Sequence, residues 1–139
     1  MKKIFLIALI FFIPLPIFAK HEYPERAYQK YWCDKKGGIM EYKLEDKTRV
    51  DCLTPKLAVE FDFAPKWHEC IGQALYYGKK TKRIPACVLI LENEDDTRFV
   101  KRLRYTVYQK KKIPYFQTFT INKKVFSSPD ESIVRDYVD

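Results

Sequence analysis

The sequence predicts an α/β sandwich, a mixed sheet with helices packed on it, in the order α-β-β-β-α-β-α-β. Three observations predict it. Segments of period-two alternation are interleaved with segments of helical periodicity. The first two helical segments open at Pro24 and Pro65 and run out at Gly37-Gly38 and Gly78. Ala86 to Leu91 is apolar throughout, which suits a central strand buried on both faces.

Taken in order, Pro24 to Lys36 reads as a helix. Ile39 to Leu44 and Thr48 to Leu53 read as strands around the polar turn Glu45-Asp46-Lys47. Leu57 to Phe63 alternates strictly, with Leu57, Val59, Phe61 and Phe63 on one face and Ala58, Glu60 and Asp62 on the other. A second helix runs from Pro65 to Tyr77, and the strand Ala86 to Leu91 comes after it. Asp95 to Lys112 reads as a third helix and Tyr115 to Ile121 as a last strand. From Ser127 the chain is polar, so residues 127–139 are expected to form a loosely held tail.

A chain of 139 residues has room for one domain. With 47% hydrophobic and 32% charged residues it is neither collagen-like nor too polar to collapse. No internal repeat is visible, which excludes solenoids and propellers. Lys and Arg number 26 against 18 Asp and Glu, an excess that favours anionic partners such as nucleic acid or acidic lipid.

The first nineteen residues read as a secretory signal peptide rather than as part of the domain at 20–126. Met1-Lys2-Lys3 is a positive start, Ile4 to Ile13 is unbroken and apolar, and Ile17-Phe18-Ala19 offers a cleavage point before Lys20. The run is too short for a membrane span, and Pro14 and Pro16 break the chain just beyond it. The expected location is therefore periplasmic or secreted. In that oxidising setting Cys33, Cys52, Cys70 and Cys87 form an even set suited to disulfides. Four cysteines allow three connectivities. The positions of the elements point to Cys33 with Cys52 and Cys70 with Cys87, each tying a helix to the sheet. No CxxC occurs, and Gly72 stands where a zinc-protease helix beginning His68-Glu69 needs its second His, so zinc has no support.

The sharpest inference concerns the hairpin around Thr54-Pro55-Lys56-Leu57. With Thr54 facing Leu57, counting back puts Leu53 opposite Ala58 and Asp51 opposite Glu60. Directly opposed side chains share a face with Cβ atoms about 4.5–5.5 Å apart. Two carboxylates that close disfavour being ionised together unless a cation lies between them, and hard oxygen ligands suit Mg²⁺ or Mn²⁺, the alternative being that the two acids flank Lys or Arg on a solvated sheet face. The same register puts Arg49 opposite Asp62, which is thereby either a third ligand or half of a cross-strand ion pair. On the second helix Lys66, Glu69, Gln73, Tyr76 and Tyr77 share one side, while Trp67, Ile71, Ala74 and Leu75 form the core stripe. The first turn of this helix begins close to Glu60 and Asp62, so Lys66 and Glu69 are in reach of a metal or a phosphate, unless that side is simply a solvated face.

A helix, a hairpin bearing Asp, an acid-x-acid strand, a second helix and a buried strand resemble the PD-(D/E)XK nuclease core. Asp51 would match the first metal-binding Asp, Glu60-Phe61-Asp62 the (D/E)-x-K element, and Gln73-Ala74-Leu75-Tyr76-Tyr77 a Q-x-x-x-Y motif. The stretch from Val50 to Tyr77 also resembles small exported members of that superfamily, and the likeness covers about residues 24–92. It implies a restriction-endonuclease-like α-β-β-β-α-β core and Mg²⁺-assisted hydrolysis of phosphodiesters, with Asp51 and Glu60 holding the ion. It also gives Gln73 and Tyr77 a positioning role and makes Glu25 an accessory acid. The chain departs from the pattern at Asp62, where the family has Lys, and Lys66 is the nearest residue able to supply that ammonium.

On the third helix Arg98, Lys101, Tyr105, Tyr108 and Lys112 form a stripe opposite Val100, Leu103 and Val107. Basic residues interleaved with tyrosine suit a nucleic-acid backbone with unpaired bases stacked beside it, although a solvated amphipathic helix reads the same way. Three readings result: an exported metal-dependent nuclease, a catalytically silent nucleic-acid-binding module of the same fold, and a basic protein that meets anionic envelope components.

Overall fold

The computed structural model describes residues 21–108, 113 and 115–128, together with the strand pairing of 135–137. Its elements are α1 (Glu25–Lys35), β1 (Ile39–Lys43), β2 (Arg49–Leu53), β3 (Leu57–Phe63), α2 (Trp67–Thr81), β4 (Ile84–Leu91), α3 (Thr97–Tyr108), β5 (Gln117–Asn122), α4 (Lys124–Ser127) and β6 (Arg135–Tyr137). Short 3-10 turns at Ala64–Lys66 and Glu94–Asp96 lead into α2 and α3. The fold is α/β, with six strands side by side in chain order. Pairing is antiparallel from β1 to β3, parallel from β3 to β5, and antiparallel again at β6.

Alternation along the strands builds two cores. Val59, Phe61 and Phe63 of β3 join Ala86, Val88 and Ile90 of β4 beneath Tyr28 and Trp32 of α1. The opposite face sets Cys87 and Leu89 against Cys70, Ile71 and Ala74 of α2 and Leu103 and Val107 of α3. Both faces of β3 and β4 are thus covered, and this is why Glu60 and Asp62 are buried although they alternate with apolar neighbours. Disulfides join Cys33 to Cys52 and Cys70 to Cys87, with Cα separations of 5.8 and 5.9 Å, so each helix is pinned to the sheet as expected. Gly38 passes over the first bridge so closely that a Cβ there would stand 2.5 and 2.7 Å from its two sulfurs.

Most element ends shift by one or two residues from the sequence reading, and four departures have a physical reason. Pro65 belongs to the 3-10 turn, and α2 proper begins at Trp67. Gly78 does not end α2: the helix continues to Thr81 and closes on Lys82, whose φ of +56° is left-handed. The glycine instead lets the helix approach β4, since a Cβ there would lie 3.0 Å from the Pro85 ring. β4 starts earlier than expected, at Ile84, and accommodates Pro85. The segment 127–139 is not simply a tail, because Arg135–Tyr137 pairs antiparallel with Thr118–Thr120 and extends the sheet beyond β5. A strand that only extends an edge needs backbone groups and no apolar pattern, so the sequence did not announce it. The segment read as a signal peptide lies outside the described residues, as does Lys112. Among the described residues no helix is long and apolar enough to cross a membrane. The two disulfides are compatible with an extracytoplasmic setting.

Candidate active site

The hairpin register is the expected one, with Cys52 across from Val59 and Leu53 across from Ala58. Continued by one residue it brings Asp51 to Glu60, and there the side chains take over from the ladder. The Asp51 amide donates to Glu60 Oε1 at 3.2 Å, and the Phe61 amide donates to Asp51 Oδ2 at 2.8 Å. Each carboxylate therefore spends one oxygen on the facing strand and keeps the other free of hydrogen bonds among the described residues. Such a break between two paired strands opens room for the acids while leaving the amides satisfied.

Charge crowds around this break. Burial is the main influence on Asp51 and Glu60, and it pushes both well above the ordinary carboxylate range. Their mutual repulsion and the nearby Glu25 and Asp62 add to the effect. Asp62 is pushed up to about 7, chiefly by burial and then by the charge of Glu25, while the Lys66 ammonium acts in the opposite direction. Glu25 in the first turn of α1 is itself raised by burial and lowered by Lys66; its Oε1 accepts a bond of 3.0 Å from the buried Gln29. Asp51, Glu60, Asp62 and Glu25 thus form one acidic centre with Lys66 at its exposed side.

The choice left open for Asp62 falls on the side of this centre. Arg49 turns away to Glu41, 3.4 Å distant, and the cation that acts on Asp62 is Lys66. Glu69 lies close enough to raise Asp62 but is itself exposed on α2. Gln73 is exposed as well. Tyr77, one turn on, is half-buried against Val50, Leu53 and Ala58, where the charges of Glu60 and Asp51 reinforce the rise that burial gives its hydroxyl. Its neighbour Tyr76 faces outward and donates to Asp46 at the hairpin turn, beside Lys80 at 3.6 Å from the same carboxylate. The hollow of about 350 Å³ next to this contact, lined by Tyr42, Asp46 and Lys80, is separate from the acidic centre.

Two members of the site escaped the sequence reading. Glu41 falls across from Asp51, between the pairs Met40–Cys52 and Tyr42–Val50, and its charge raises Asp51. It holds a left-handed φ of +51°, an uncommon conformation for a glutamate inside a strand. Carrying the register across the Glu45-Asp46-Lys47 turn would have found it. Gln29 could not have been found that way, since its burial depends on how α1 lies on the sheet.

On α3, Arg98, Lys101 and Tyr105 are exposed as predicted. Tyr108 is not on that stripe: it is half-buried, packs into the core beneath α3, and its hydroxyl lies 3.2 Å from Thr118 Oγ1.

The centre offers hard oxygen donors only, which is the ligand chemistry that Mg²⁺ and Mn²⁺ take. Asp51 and Glu60 fit such an ion by donor type, by the oxygen each leaves uncommitted, and by the mutual repulsion that a cation would relieve. Among the described residues no set of three His, Cys, Asp or Glu side chains stands in ready ligand geometry. Compared with known protein families, curated proteins and solved structures, the chain matches none.

Proposed function

We propose that this chain is an exported, metal-dependent phosphodiester hydrolase acting on nucleic acid, of the PD-(D/E)XK kind. One observation carries the reading: half-buried Asp51 and buried Glu60 face each other across a broken ladder, each accepting one amide of the facing strand and leaving its other oxygen uncommitted, and burial pushes both carboxyls above their ordinary range. Burying acids is costly, and a site that does so without an internal cation is a candidate for chemistry. Asp51 and Glu60 would hold Mg²⁺, which when bound supplies electrophilic polarisation of a phosphate and a more acidic water.

The chain's own residues do the rest. Lys66, exposed at the rim and close enough to lower both Asp62 and Glu25, offers an ammonium for the charge of a phosphate. This relocates the cation that the family carries at the position of Asp62. Gln29 fixes the orientation of Glu25 through its 3.0 Å bond. Tyr77 packs against Val50, Leu53 and Ala58 at the base of the hairpin, near enough to feel the charges of Glu60 and Asp51. Gln73 is exposed on the same side of α2.

A second reading is favoured by a specific feature: Asp62 stands in place of the family's Lys, and both hairpin carboxylates are already engaged with backbone amides. On that reading the fold binds nucleic acid without cutting it. Plasmid nicking in Mg²⁺, in Mn²⁺ and in EDTA separates the two. Metal-dependent nicking that disappears in Asp51→Asn and Glu60→Gln supports hydrolysis. Salt-sensitive binding without nicking supports the silent module.

A further inference from the structure

We infer that the groove between Trp67 and α3 binds single-stranded nucleic acid, with bases stacked on Trp67 and Tyr105 and phosphates on Lys101 and Arg102; the inference rests on the reading of the chain as a nucleic-acid hydrolase and names the strand form it takes. The groove is a shallow hollow of about 320 Å³ lined by Trp67, Lys101, Arg102, Tyr105 and Thr106. It is built from two elements that meet there, the first turn of α2 and the outer face of α3.

Its chemistry is specific. The helix Thr97–Tyr108 carries Arg98, Lys101, Arg102 and Arg104 and no acid at all. A solvated amphipathic helix ordinarily mixes both signs along its exposed face. Tyr105 is 66% exposed, a large outlay of aromatic surface to water, and Trp67 is half-buried at the opposite wall. Two aromatic rings flanked by cations on one concave strip match what an unpaired strand offers, a sequence of flat bases on a charged backbone. A duplex hides its base faces in the stack and would meet only the cations. Trp67 is the residue after Lys66, whose ammonium acts on Asp62 and Glu25. The groove thus opens at the first turn of α2, the same turn that follows the acidic strand β3 in the chain.

The chain itself supplies the probe. It has two tryptophans, and Trp32 is 1% exposed on the inner side of α1, so a change in emission on ligand binding reports on Trp67. The experiment titrates wild-type protein with oligothymidylate in EDTA, where no hydrolysis interferes, and repeats it with a duplex of equal length. Expected are quenching by the single strand, at least tenfold weaker binding of the duplex at the same salt, and about tenfold weaker single-strand binding in Tyr105→Ala. Lys101→Ala/Arg102→Ala should weaken single-strand binding and flatten its salt dependence. Equal affinity for duplex and single strand, or an unaffected Tyr105→Ala, overturns the inference. So does binding to anionic phosphatidylglycerol vesicles without binding to the oligonucleotide. Because the titration involves no turnover, its success does not require nicking, and nicking of duplex DNA without single-strand preference would leave the hydrolase reading standing while this one falls.

Discussion

Asp51 gives its backbone N–H to the Glu60 carboxylate at 3.2 Å, while its own carboxylate receives the amide of the residue after Glu60, at 2.8 Å. The two acids therefore brace the same gap from both sides. No cation is placed between these two acids among the described residues, Lys66 acting on Asp62 and Glu25 instead, and most of the testable consequences stem from that.

Stability should fall as pH rises. Asp51, Glu60 and Asp62 all titrate higher in the folded protein than in the unfolded chain, chiefly because they are buried. Below the unfolded value, near about 4, all are protonated in both states and no penalty exists. Above it the unfolded chain loses its protons first, so the folded state binds more protons and loses stability at up to about 1.4 kcal/mol per pH unit for each such group. The loss for Asp62 runs its course near pH 7, where its folded value lies. Thermal unfolding scanned from pH 4 to 9 in EDTA should show a steadily lower midpoint, and a flat profile would count against a charged, strained centre.

Removing one charge should therefore stabilise the fold at alkaline pH. Asp51→Asn and Glu60→Gln each keep an oxygen to accept the facing amide while deleting a carboxylate. At pH 8 each variant should be more stable than wild type by about 1–2 kcal/mol, and near pH 4 the difference should vanish. Denaturant titrations at the two pH values measure both. A variant less stable than wild type at pH 8 would mean that the carboxylates are satisfied as they stand.

Lys66 is the cation of the centre and lies outside the core. Lys66→Ala should leave folding within about 0.5 kcal/mol of wild type, as for an exposed substitution, yet lower nicking by about a hundredfold. Lys66→Arg should restore part of the rate. Equal rates for wild type and Lys66→Ala would place the ammonium elsewhere.

The disulfide at the site's back wall leaves no space for a side chain at Gly38. Gly38→Ala puts a Cβ at 2.5 and 2.7 Å from the sulfurs of Cys52 and Cys33, so the hairpin or α1 must shift, at a cost of about 1–3 kcal/mol. Equilibrium unfolding of the oxidised proteins reads this directly. In the Cys33→Ser/Cys52→Ser double variant the penalty of the added methyl should shrink, because hydroxyls not bonded to each other can move apart.

Much of the fold was legible because it is written in local chemistry. Strict alternation from Leu57 to Phe63 set the two faces of β3, and Thr54-Pro55-Lys56-Leu57 set the register that brings Asp51 to Glu60. The pairing of cysteines became clear once the elements carrying them were ordered. The hidden features depend on contact between distant segments. Gly78 looked like a helix stop but serves the approach of α2 to Pro85. Tyr108 looked exposed by helical spacing, yet its hydroxyl meets Thr118. Gln73 fitted a motif and stands in solvent, whereas Glu41 fitted none and lies beside Asp51. Motif spacing reports which side of an element a residue takes, and only packing decides whether that side is covered.

The most direct measurement is calorimetric titration of Mn²⁺ into wild-type protein and into the Asp51→Asn/Glu60→Gln double variant at pH 8, with thermal midpoints recorded at saturation. The account predicts one saturable site in the wild type, proton release on binding, a raised midpoint, and none of these in the double variant. Equal Mn²⁺ uptake by both proteins, or no uptake by the wild type, would contradict a cation site between the two hairpin acids.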